Sequence, residues 1–428
     1  MRLGGRLAAA IEVLEDMERR KRPAADALKD WGLSHRFAGS GDRGAIGNIV
    51  YDALRRRRSA VWLTGDETAR GQAFGSLLLE SGYSPDGLNA VLEGDRFAPA
   101  ALSADELAAI DDRDLANAPD EVRSDLPDWC VPHFQSAFGD AWVEEGAALA
   151  LRPSLDMRVN TLLATRDKVL ADLTDAGAFA TDIAPQGMRV PPIVEAGRHP
   201  NVQVEPAFQK GWFEVQDEGS QIVAQLAGAK PGMQVLDYCA GGGGKTLAMS
   251  AQMDNKGQVF AYDSEKARLA PIFDRLRRAE CRNVQVIAGQ SALVPLEGQM
   301  DMVLVDAPCT GTGTWRRRPD AKWRLAQRQV EVRMREQSTI LDAVARFVKP
   351  GGTIAFITCS VFLDENQQQA RGFVERNPGF SFADHQAIWD GNFGQTGAQP
   401  RIAADGIVLT PATTATDGFY FAMLRKAG

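Results

Sequence analysis

The sequence predicts an α/β protein whose largest domain is a doubly wound, mainly parallel sheet. From Gly211 onward, short apolar runs alternate with helix-length segments, as expected for strands joined by crossover helices. Four consecutive glycines follow the first of these strands, and two later strands each lead into a cysteine. Because ligands bind at the carboxyl ends of the strands in such sheets, we expect these residues to share one site.

The composition fits a globular protein of two or three domains, with 428 residues, 44% of them hydrophobic and 24% charged. The five cysteines are scattered without a CxxC pair and only four histidines occur, which argues against a disulfide framework or a zinc site. We therefore expect a reducing, cytoplasmic setting and no metal. No apolar run approaches the about 18 residues of a membrane span, so no membrane partner is expected.

Charge is unevenly distributed along the chain, whose net charge is −8. Residues 1–60 hold 13 Lys or Arg against 8 Asp or Glu, a net of +5, whereas residues 61–135 hold 4 against 15, a net of −11. A local basic face can bind a polyanion even when the mean charge is acidic, so the total does not exclude a nucleic-acid partner.

Three regions with different patterns follow one another. Residues 1–135 have apolar side chains at helical spacing, and their clearest helix begins with Asp42 as N-cap and runs into the four arginines 55–58. Those arginines are either a solvated helix end or a phosphate-contacting patch. Residues 136–212 combine a short strand at 152–161 with a helix at 167–176, a small α+β unit, and residues 213–428 hold the doubly wound sheet.

The glycine run, residues 241–244, lies between a buried strand at 234–237 and a helix that begins at Lys245. It is one residue short of a phosphate-binding Walker A loop, because Cys239 stands where that motif has glycine. The other functional alternative is a nucleoside-cofactor loop, in which Asp263, 17 residues beyond Thr246, would bind the ribose hydroxyls. A tight strand-to-helix turn is the structural alternative, but the position of Asp263 favours the nucleoside cofactor.

Two cysteines stand at the ends of consecutive predicted strands. Cys309 follows Asp306 by three residues at the end of one strand, and Cys359 follows the next strand 50 residues later. One strand–helix crossover separates them, so the two thiols should lie side by side at one edge of the sheet. A lone buried cysteine is usually a small hydrophobic residue, but two at neighbouring strand ends favour a chemical role.

Two thiols and an acid suit one kind of methyl transfer in particular. Carbon 5 of a pyrimidine is a poor nucleophile, but a thiolate that adds to carbon 6 turns the ring into an enamine able to accept a methyl group from a sulfonium donor. Asp306 would assist by protonating or hydrogen-bonding the ring near N3. The carbon 5 proton must then leave and the sulfur be expelled, which gives a second thiol a task as base. These residues do not by themselves say which thiol attacks.

Three segments together resemble the Sun/Fmu (RsmB-like) family of RNA 5-methylcytosine methyltransferases, namely DYCAGGGGKT, DAPCTGTGTWRRRPDAKW and ITCSVFLDEN. The resemblance covers about residues 150–428, and the run DRGAIGNIVYDALRRR resembles the helical NusB-like RNA-binding domain. It implies a Rossmann-like methyltransferase domain at 213–428, preceded by an all-helical NusB-like domain at 1–135 and a small α+β RNA-binding unit at 136–212. The implied cofactor is S-adenosylmethionine.

The resemblance also implies roles for individual residues. Cys359 would be the nucleophile, Cys309 would help to release the product, and Asp306 and Lys245 would complete the catalytic set. The implied donor site comprises Cys239, Ala240, Gly241, Gly242, Gly243, Gly244, Lys245, Asp263, Gln290 and Asp306.

Two positions depart from the family pattern. The family loop reads Cys-Ala-Ala-Pro-Gly-Gly-Lys, whereas Gly241 and Gly242 replace Ala and Pro here, which predicts a more flexible loop. Gln290 stands where the family has an Asp near the adenine. Both changes bear on affinity for the donor, and neither removes a reacting group.

Arg316, Arg317, Arg318 and Trp323 follow the first thiol and are predicted to contact RNA, because arginines hold phosphates and aromatics stack on unpaired bases. The structural alternative is a core tryptophan beside a solvated loop. We expect a monomer that acts on ribosomal RNA, with tRNA as the second candidate. Two other functions stay open: a P-loop NTPase that binds ATP with magnesium, and a non-catalytic RNA-binding or assembly factor on the same fold.

Overall fold

A computed structural model describes residues 1–194 and 197–428 of the chain. Glu195 and Ala196, which belong to the predicted α+β region, lie outside the described residues. The chain divides into two compact units. Unit 1 comprises Met1–Pro153, Pro192–His199 and Trp315–Ala326, and unit 2 comprises Ser154–Pro191, Pro200–Thr314 and Gln327–Gly428. Within the described ranges, no helix combines the length and the apolar character needed to cross a membrane.

The α-helices of the described residues are numbered in chain order. They are α1 (Leu3–Arg20), α2 (Ala24–Ser34), α3 (Ser40–Arg55), α4 (Arg57–Thr64), α5 (Ala69–Glu80), α6 (Pro85–Leu92), α7 (Ala104–Asp111), α8 (Asp120–Arg123), α9 (Val131–Phe138), α10 (Trp142–Ala148), α11 (Arg166–Asp172), α12 (Pro206–Gln209), α13 (Glu218–Leu226), α14 (Gly244–Gln252), α15 (Lys266–Leu269), α16 (Ile272–Arg278), α17 (Pro319–Arg324), α18 (Gln327–Val344), α19 (Gln367–Arg376), α20 (His385–Phe393) and α21 (Pro411–Thr414). Helices α1 to α10 and α17 belong to unit 1.

The strands of the described residues all belong to unit 2. They are β1 (Leu155–Val159), β2 (Phe179–Ala180), β3 (Gly187–Val190), β4 (Phe213–Val215), β5 (Gln234–Asp237), β6 (Gln258–Ala261), β7 (Val284–Val286), β8 (Met300–Asp306), β9 (Val348–Thr358), β10 (Phe380–Phe382), β11 (Arg401–Ala403), β12 (Gly406–Leu409) and β13 (Phe419–Lys426).

Unit 1 is a bundle of helices whose apolar faces meet in one core. Helices α1, α3 and α5 pack against one another, and they bury Leu7, Ile46, Val50 and Phe74 completely. Burial of each such side chain stabilises the fold by about 1.5–3 kcal/mol. The helical character predicted for the first region is therefore present, and its NusB-like nature stays a prediction.

The start of α3 differs from the prediction. Its N-cap is Gly39, and Asp42 lies inside the first turn. The Asp42 carboxylate binds the amino group of Met1 at 2.9 Å and the guanidinium of Arg6 at 2.8 Å. The predicted N-cap role of Asp42 is wrong because its side chain joins α3 to the start of α1 instead of capping its own helix.

A segment from much later in the sequence completes unit 1. Residues 315–326, which include α17, belong to this unit. Trp315 is 1% exposed, and its ring stacks on Phe134 with 6.0 Å between the ring centroids. Lys322 is also buried, and its ammonium group donates to the Arg55 carbonyl at 3.1 Å. The large apolar area of the Trp315 ring is a physical reason for this segment to be held in the helical core.

Unit 2 contains a small antiparallel sheet with the strand order β2-β3-β1-β4. Met157, Met188 and Phe213 are fully buried in its core together with apolar residues of α11 and α12. Asn160, directly after β1, is also buried, and its amide donates to the carbonyls of Gly211 and Ala279 at 3.0 and 2.9 Å. These bonds satisfy a buried side chain that would otherwise be costly.

The main sheet has the order β11-β12-β13-β9-β8-β5-β6-β7, and β10 pairs with the last residues of β13, outside this order. The pairs among β5, β6, β7, β8 and β9 are parallel, as predicted. The pairs from β9 through β13 to β11 are antiparallel, so the sheet is mixed and the expectation of a mainly parallel sheet is wrong for this half. The physical reason is that β11 to β13 follow one another through turns and short segments, which antiparallel pairing permits.

Two predicted elements differ in extent. The sequence predicts one helix over 265–279, but Pro271 divides it into α15 and α16, because proline lacks the N–H that a helix interior needs. It also predicts a helix over about 325–348, whereas α18 ends at Val344, since Val348 already pairs with Met300 and begins β9.

Candidate active site

The two predicted thiols lie side by side at the carboxyl ends of β8 and β9. These strands pair in parallel, with Asp306 opposite Ile357. Cys309 stands three residues beyond β8, and Cys359 directly follows β9. Their sulfurs are 3.3 Å apart, which is within hydrogen-bond range for sulfur and well beyond the about 2.05 Å of a disulfide. Both are free, half-buried cysteines.

One buried carboxylate joins the loops that carry the two thiols. Glu365 is fully buried, and its Oε1 accepts from the backbone N–H of Thr310 at 2.8 Å. Its Oε2 accepts from the hydroxyls of Thr310 and Ser360. Thr310 follows Cys309 in the chain and Ser360 follows Cys359, so Glu365 fixes the residue next to each thiol. Burial raises the pKa of Glu365, and the three donors oppose that rise by favouring its charged form.

Further hydrogen bonds hold the same two loops together. The hydroxyls of Thr312 and Ser360 lie 3.0 Å apart, and the N–H of Gly313 donates to the Cys359 carbonyl at 2.9 Å. The Asn366 amide donates to the Ser360 carbonyl, also at 2.9 Å. A fully satisfied buried network of this kind is rigid, so the positions of the two sulfurs are fixed before any substrate binds.

The two thiols differ electrostatically. The hydrogen bond with Cys359 is the largest reason why the pKa of Cys309 lies well above its usual range, and burial acts in the same direction. Cys309 therefore remains a protonated thiol at neutral pH, able to donate its S–H to the neighbouring sulfur. By geometry alone, either sulfur can be the donor in this pair.

The acid at the end of β8 is held by the predicted lysine. Asp306 Oδ2 accepts from the Lys245 ammonium at 2.6 Å. Lys245 lies in the first turn of α14, with its side chain 8% exposed and its nitrogen 5.4 Å from the centroid of the Phe419 ring. About a third of the Asp306 side chain (34%) remains exposed, and within the described residues its Oδ1 makes no hydrogen bond. That oxygen is available to a ligand.

The glycine loop connects β5 to α14 and forms a tight cradle at Gly243. This residue has φ +83°, and a Cβ there would lie only 2.5 Å from Ile272. The N–H of Gly241 donates to Asp263 Oδ2 at 3.0 Å, and that of Glu265 donates to Asp263 Oδ1 at 2.9 Å. A close backbone next to a fixed carboxylate at the adjacent strand end fits a ribonucleoside, whose hydroxyls donate to such an acid.

A further buried acid stands at the end of β5 itself. Asp237 is 1% exposed; its Oδ2 accepts from the Thr246 hydroxyl at 2.6 Å, whereas its Oδ1 is buried with no partner in the described part of the chain. Burial raises the pKa of Asp237 to about 7, and the charges of Asp306 and Asp263 add to the rise. An orphaned acceptor beside the glycine cradle also fits a ligand that carries hydrogen-bond donors.

The other predicted donor residues lie at the same ends of the strands. Cys239 and Ala240 connect β5 to the glycine run, and Gly244 is the first residue of α14. Burial raises the pKa of the Cys239 thiol well above its usual range, so this thiol stays protonated. Gln290 begins a 3₁₀ helix (Gln290–Leu296) after β7. Its side chain is exposed and makes no hydrogen bond to any residue that the structure describes, so it can bind a ligand.

The residues predicted to contact RNA belong to unit 1. Arg316 is 5% exposed, and its carbonyl accepts from Arg55 Nε at 2.7 Å. Trp323 is half-buried against the helical core, and its indole N–H donates to the Leu54 carbonyl at 2.6 Å. Arg318 is exposed. RNA contact by this segment stays a prediction, with Arg318 as its most accessible member.

The arginines at 55–58 have acidic partners inside unit 1. The ion pairs are Arg55 with Asp52, Arg56 with Glu80 and Asp125, Arg57 with Glu18, and Arg58 with Asp128. The run is therefore not a solvated helix end, because Arg55 is buried and the other three arginines are half-buried. Contact with phosphates stays a prediction, and a guanidinium already paired with a carboxylate is less available for it.

Sequence reasoning did not single out Glu365 or Asp237 as site residues. A signal exists for Glu365, since it is an acid six residues after Cys359 and just beyond an apolar stretch. Asp237 ends a buried strand, a position where an acid at a ligand-binding edge is expected. Neither signal could reveal which groups donate to these carboxylates.

The sheet, with its glycine cradle, the acid that follows β6 and the paired thiols, fits the class of S-adenosylmethionine-dependent methyltransferases. Two family models match the chain, one described as 16S rRNA methyltransferase RsmB/F over residues 224–425 and one as the RsmF/B-like ferredoxin-like domain over residues 126–194. The chain belongs to the RsmB/F family of ribosomal RNA methyltransferases. Membership excludes the P-loop NTPase and confirms the expected cofactor.

Individual relatives support the same conclusion. The chain is 33% identical over 316 residues to ribosomal RNA small subunit methyltransferase B of Citrobacter koseri, a match that covers 72% of this chain and 68% of that protein. It is 31% identical over 308 residues to a probable ribosomal RNA small subunit methyltransferase B of Synechocystis sp., covering 71% and 67%. The matches thus span about two thirds of the relatives' length.

A solved structure shares the fold. The crystal structure of a methyltransferase homolog protein from Pyrococcus horikoshii superposes with a TM-score of 0.59 at 22% identity, and the match covers 72% of this chain and 97% of that one.

Proposed function

We propose that this chain is an RNA (cytosine-5)-methyltransferase that modifies ribosomal RNA through a transient bond between Cys359 and carbon 6 of a cytosine. The observation that carries the proposal is the pair of sulfurs 3.3 Å apart at neighbouring strand ends. Methyl transfer to a nitrogen or an oxygen needs neither thiol, whereas methyl transfer to carbon 5 needs a nucleophile and a base. The names of the relatives support ribosomal RNA as the substrate.

The donor would be held at the edge of the sheet next to the thiols. S-adenosylmethionine supplies, when bound, a methyl group on a positively charged sulfur. The glycine cradle around Gly243 would hold its nucleoside, with Asp263 accepting from the ribose hydroxyls and Gln290 bonding the adenine. The orphaned Asp237 oxygen offers an acceptor for a further donor group of the same ligand.

The attack begins at Cys359. Its thiolate adds to carbon 6 of the cytosine, and the electron pair of the carbon 5–carbon 6 double bond makes carbon 5 nucleophilic enough to take the methyl group. Asp306 assists the addition by protonating or hydrogen-bonding the ring near N3 through its free Oδ1, while Lys245 holds its other oxygen. The target base must leave its stack to reach half-buried sulfurs.

Cys309 completes the reaction as a base whose strength depends on the state of Cys359. The hydrogen bond between the sulfurs is the largest cause of the raised pKa of Cys309. Once the Cys359 sulfur is bonded to carbon 6, that cause disappears, and Cys309 can release its proton to solvent. The resulting thiolate removes the carbon 5 proton, the carbon 5–carbon 6 double bond re-forms, and the Cys359 sulfur leaves with its electron pair. One proton is released per methyl group transferred.

The alternative function is a non-catalytic RNA-binding or assembly factor on the same fold, and Gly241, Gly242 and Gln290 are the departures that favour it. The satisfied network around Glu365 favours the enzyme, because a protein without chemistry has no need to fix two thiols so firmly. We place the enzyme in the cytoplasm as a monomer, as the sequence predicts, with Arg318 contacting RNA phosphates.

Bisulfite sequencing of total RNA tests this function. We expect a cytidine in ribosomal RNA to resist deamination in cells that carry the intact gene, and to lose that resistance when the gene is deleted. Complementation with the Cys281→Ala variant should restore it, since Cys281 lies away from the paired thiols, whereas Cys359→Ala should not. Restored resistance with Cys359→Ala would refute the covalent mechanism, and no gene-dependent site in any RNA would refute the function.

A further inference from the structure

A second polar cavity lies in unit 2, apart from the residues assigned to the donor and the thiols. It encloses about 430 Å³ between the end of β1, α13 and α14. Its polar lining includes Arg158, Gln186, Gln221, Gln225, Lys230 and Gln252. Among the described residues that line it, two are cationic and none is acidic. No predicted catalytic or donor residue lines this cavity, so the proposed methyl transfer leaves it without a role.

Arg158 is the most informative residue of the cavity. It projects from β1, is 7% exposed, and uses its Nε to donate to the neutral Gln216 amide at 2.7 Å. Across residues 1–194 and 197–428, no carboxylate lies within ion-pair distance of its guanidinium, and its two terminal nitrogens have no hydrogen-bond partner. Burial lowers the pKa of Arg158 to about 10, so it still carries its charge at neutral pH.

The carboxylate nearest to Arg158 in the sheet register is already engaged. Glu214 stands opposite Arg158 on β4, but it pairs with Arg275 at 3.1 Å and also with Arg278. Two other guanidinium groups therefore already occupy this carboxylate, and Arg158 makes no ion pair with it. A buried charge without its own counter-ion is costly, and a bound anion removes that cost.

Gln221 adds a second unsatisfied group to the same lining. It is 4% exposed, and its amide nitrogen donates to the carbonyls of Met157 and Gln216 at 3.1 and 2.9 Å. These two bonds fix the orientation of the amide, and they leave its oxygen without a donor within the described part of the chain. The lining thus contains a guanidinium with free hydrogen-bond donors and an amide oxygen without a hydrogen-bond donor.

We propose that this cavity binds a phosphate group, with Arg158 as the buried anchor and Lys230 at its exposed side. A guanidinium fork pairs with two phosphate oxygens, and the remaining oxygens can accept from the Gln186 and Gln225 amides. A phosphate ion alone would leave most of the 430 Å³ unfilled, so the group belongs to an ester whose sugar hydroxyls supply the donors that Gln221 lacks. Such an ester is either a free sugar phosphate or a diester of an RNA backbone.

Titration calorimetry with three probes tests the site: ribose 5-phosphate, inorganic phosphate and dimethyl phosphate. The full chain should bind at least one of them saturably. Arg158→Gln should weaken that binding by about tenfold or more, as expected for loss of one charge-assisted hydrogen bond. Lys230→Met should weaken it less. Arg277→Gln, an exposed arginine on α16 outside the cavity, should leave the affinity unchanged.

The probes separate the two sources of phosphate. Tighter binding of ribose 5-phosphate or inorganic phosphate indicates a free ester, whereas binding of dimethyl phosphate indicates an RNA backbone, and both outcomes support the site. No saturable binding to the intact chain, or an unchanged affinity in folded Arg158→Gln, overturns it. Should that variant not fold, an unchanged affinity in the Lys230→Met, Gln225→Leu double variant is the overturning result. Cys359→Ala should bind the probe normally, so failure here and failure of the methyl transfer are distinguishable.

Discussion

At Glu365, three donors converge on one buried carboxylate: the backbone N–H and hydroxyl of Thr310 and the hydroxyl of Ser360. Since these residues adjoin the two thiols, the carboxylate sets where both sulfurs lie. Its role is positioning, because nothing about its contacts requires it to touch the substrate. This distinction makes the role testable through kinetics.

The Glu365→Gln substitution should lower kcat by about tenfold or more. The amide nitrogen replaces an acceptor, so at least one of the three donors loses its partner, and a small misplacement of a reacting group is costly. Affinity for S-adenosylmethionine should not change, because Glu365 is not among the residues predicted to bind this cofactor. Steady-state kinetics and donor titration measure the two quantities. Glu375→Gln, exposed on α19, is the matched control, and an unaltered kcat in Glu365→Gln would contradict the positioning role.

Asp237 makes a prediction about pH. Its pKa is raised to about 7 by burial, so between about pH 4 and pH 7 the folded chain binds a proton that the unfolded chain has lost. The contribution of Asp237 to stability is therefore present at low pH and is lost as pH rises through 7. Its size is on the order of a few kcal/mol, at about 1.4 kcal/mol per pKa unit.

Asp237→Asn should remove that contribution. Relative to the parent chain, the variant should gain free energy of unfolding when the pH is raised from 5 to 8, measured by denaturant titration without cofactor. Asp274→Asn, whose parent side chain is 83% exposed, should show no such gain. An equal difference between Asp237→Asn and the parent at both pH values would contradict a titration of Asp237 near pH 7.

At the scale of residues, the candidate reacting groups can be predicted from the sequence, whereas the groups that position them cannot. The spacing of Cys309 and Cys359 predicts neighbouring sulfurs, and the structure confirms this with a separation of 3.3 Å. The carboxylate that holds the two cysteine loops in place could not be predicted from spacing. Glu365 contacts Thr310 across 55 positions of sequence, and such a contact depends on packing that no local pattern encodes.

At the scale of elements, the loop between β5 and α14 depends on one glycine above the others. Gly243 has both a positive φ and no room for a Cβ, since Ile272 would lie 2.5 Å away. Gly242 has neither constraint of that severity, because its φ lies outside the left-handed region and its nearest neighbour is the flexible end of Arg275 at 3.3 Å. This contrast agrees with the family pattern, which has glycine at the position of Gly243 and proline at the position of Gly242.

Gly243→Ala should therefore weaken binding of S-adenosylmethionine by about tenfold or more. The loop must move to make room for the alanine side chain, and a residue other than glycine in the αL conformation adds about 1 kcal/mol or more of strain. Gly242→Ala should change the affinity by less than about threefold. Titration calorimetry on the two variants measures the difference. Equal losses for both would mean that the cradle does not hold the nucleoside.

The parallel half of the sheet follows from the sequence because each strand is separated from the next by a helix-length segment. The antiparallel half does not, because β10, β11 and β12 have only three or four residues each, which is too short to show a periodic apolar pattern. The apolar run at 419–424 predicts a strand, and β13 confirms it, but the direction of β13 next to β9 is decided by which edge of the sheet remains open. The local sequence pattern does not determine this direction.

At the scale of the whole molecule, residues 315–326 show where sequence order misleads. They follow the first thiol directly in the chain, and yet they belong to unit 1 with the helices of the first region. The tryptophans and arginines of this segment therefore make packing contacts, although their position in the sequence predicts contacts with RNA. Trp315 is buried on Phe134, while Arg318 keeps the exposure that RNA contact needs.

The central claim is that Cys359 bonds to the nucleobase and that Cys309 allows the bond to break. Incubation of the full chain with ribosomal RNA and S-adenosylmethionine, followed by denaturing electrophoresis, tests both halves at once. Cys309→Ala should accumulate a covalent protein–RNA adduct, because methyl transfer proceeds and release does not. Cys359→Ala should form none, and Cys281→Ala should turn over like the parent chain. An adduct in Cys359→Ala, or none in Cys309→Ala, would contradict this division of labour.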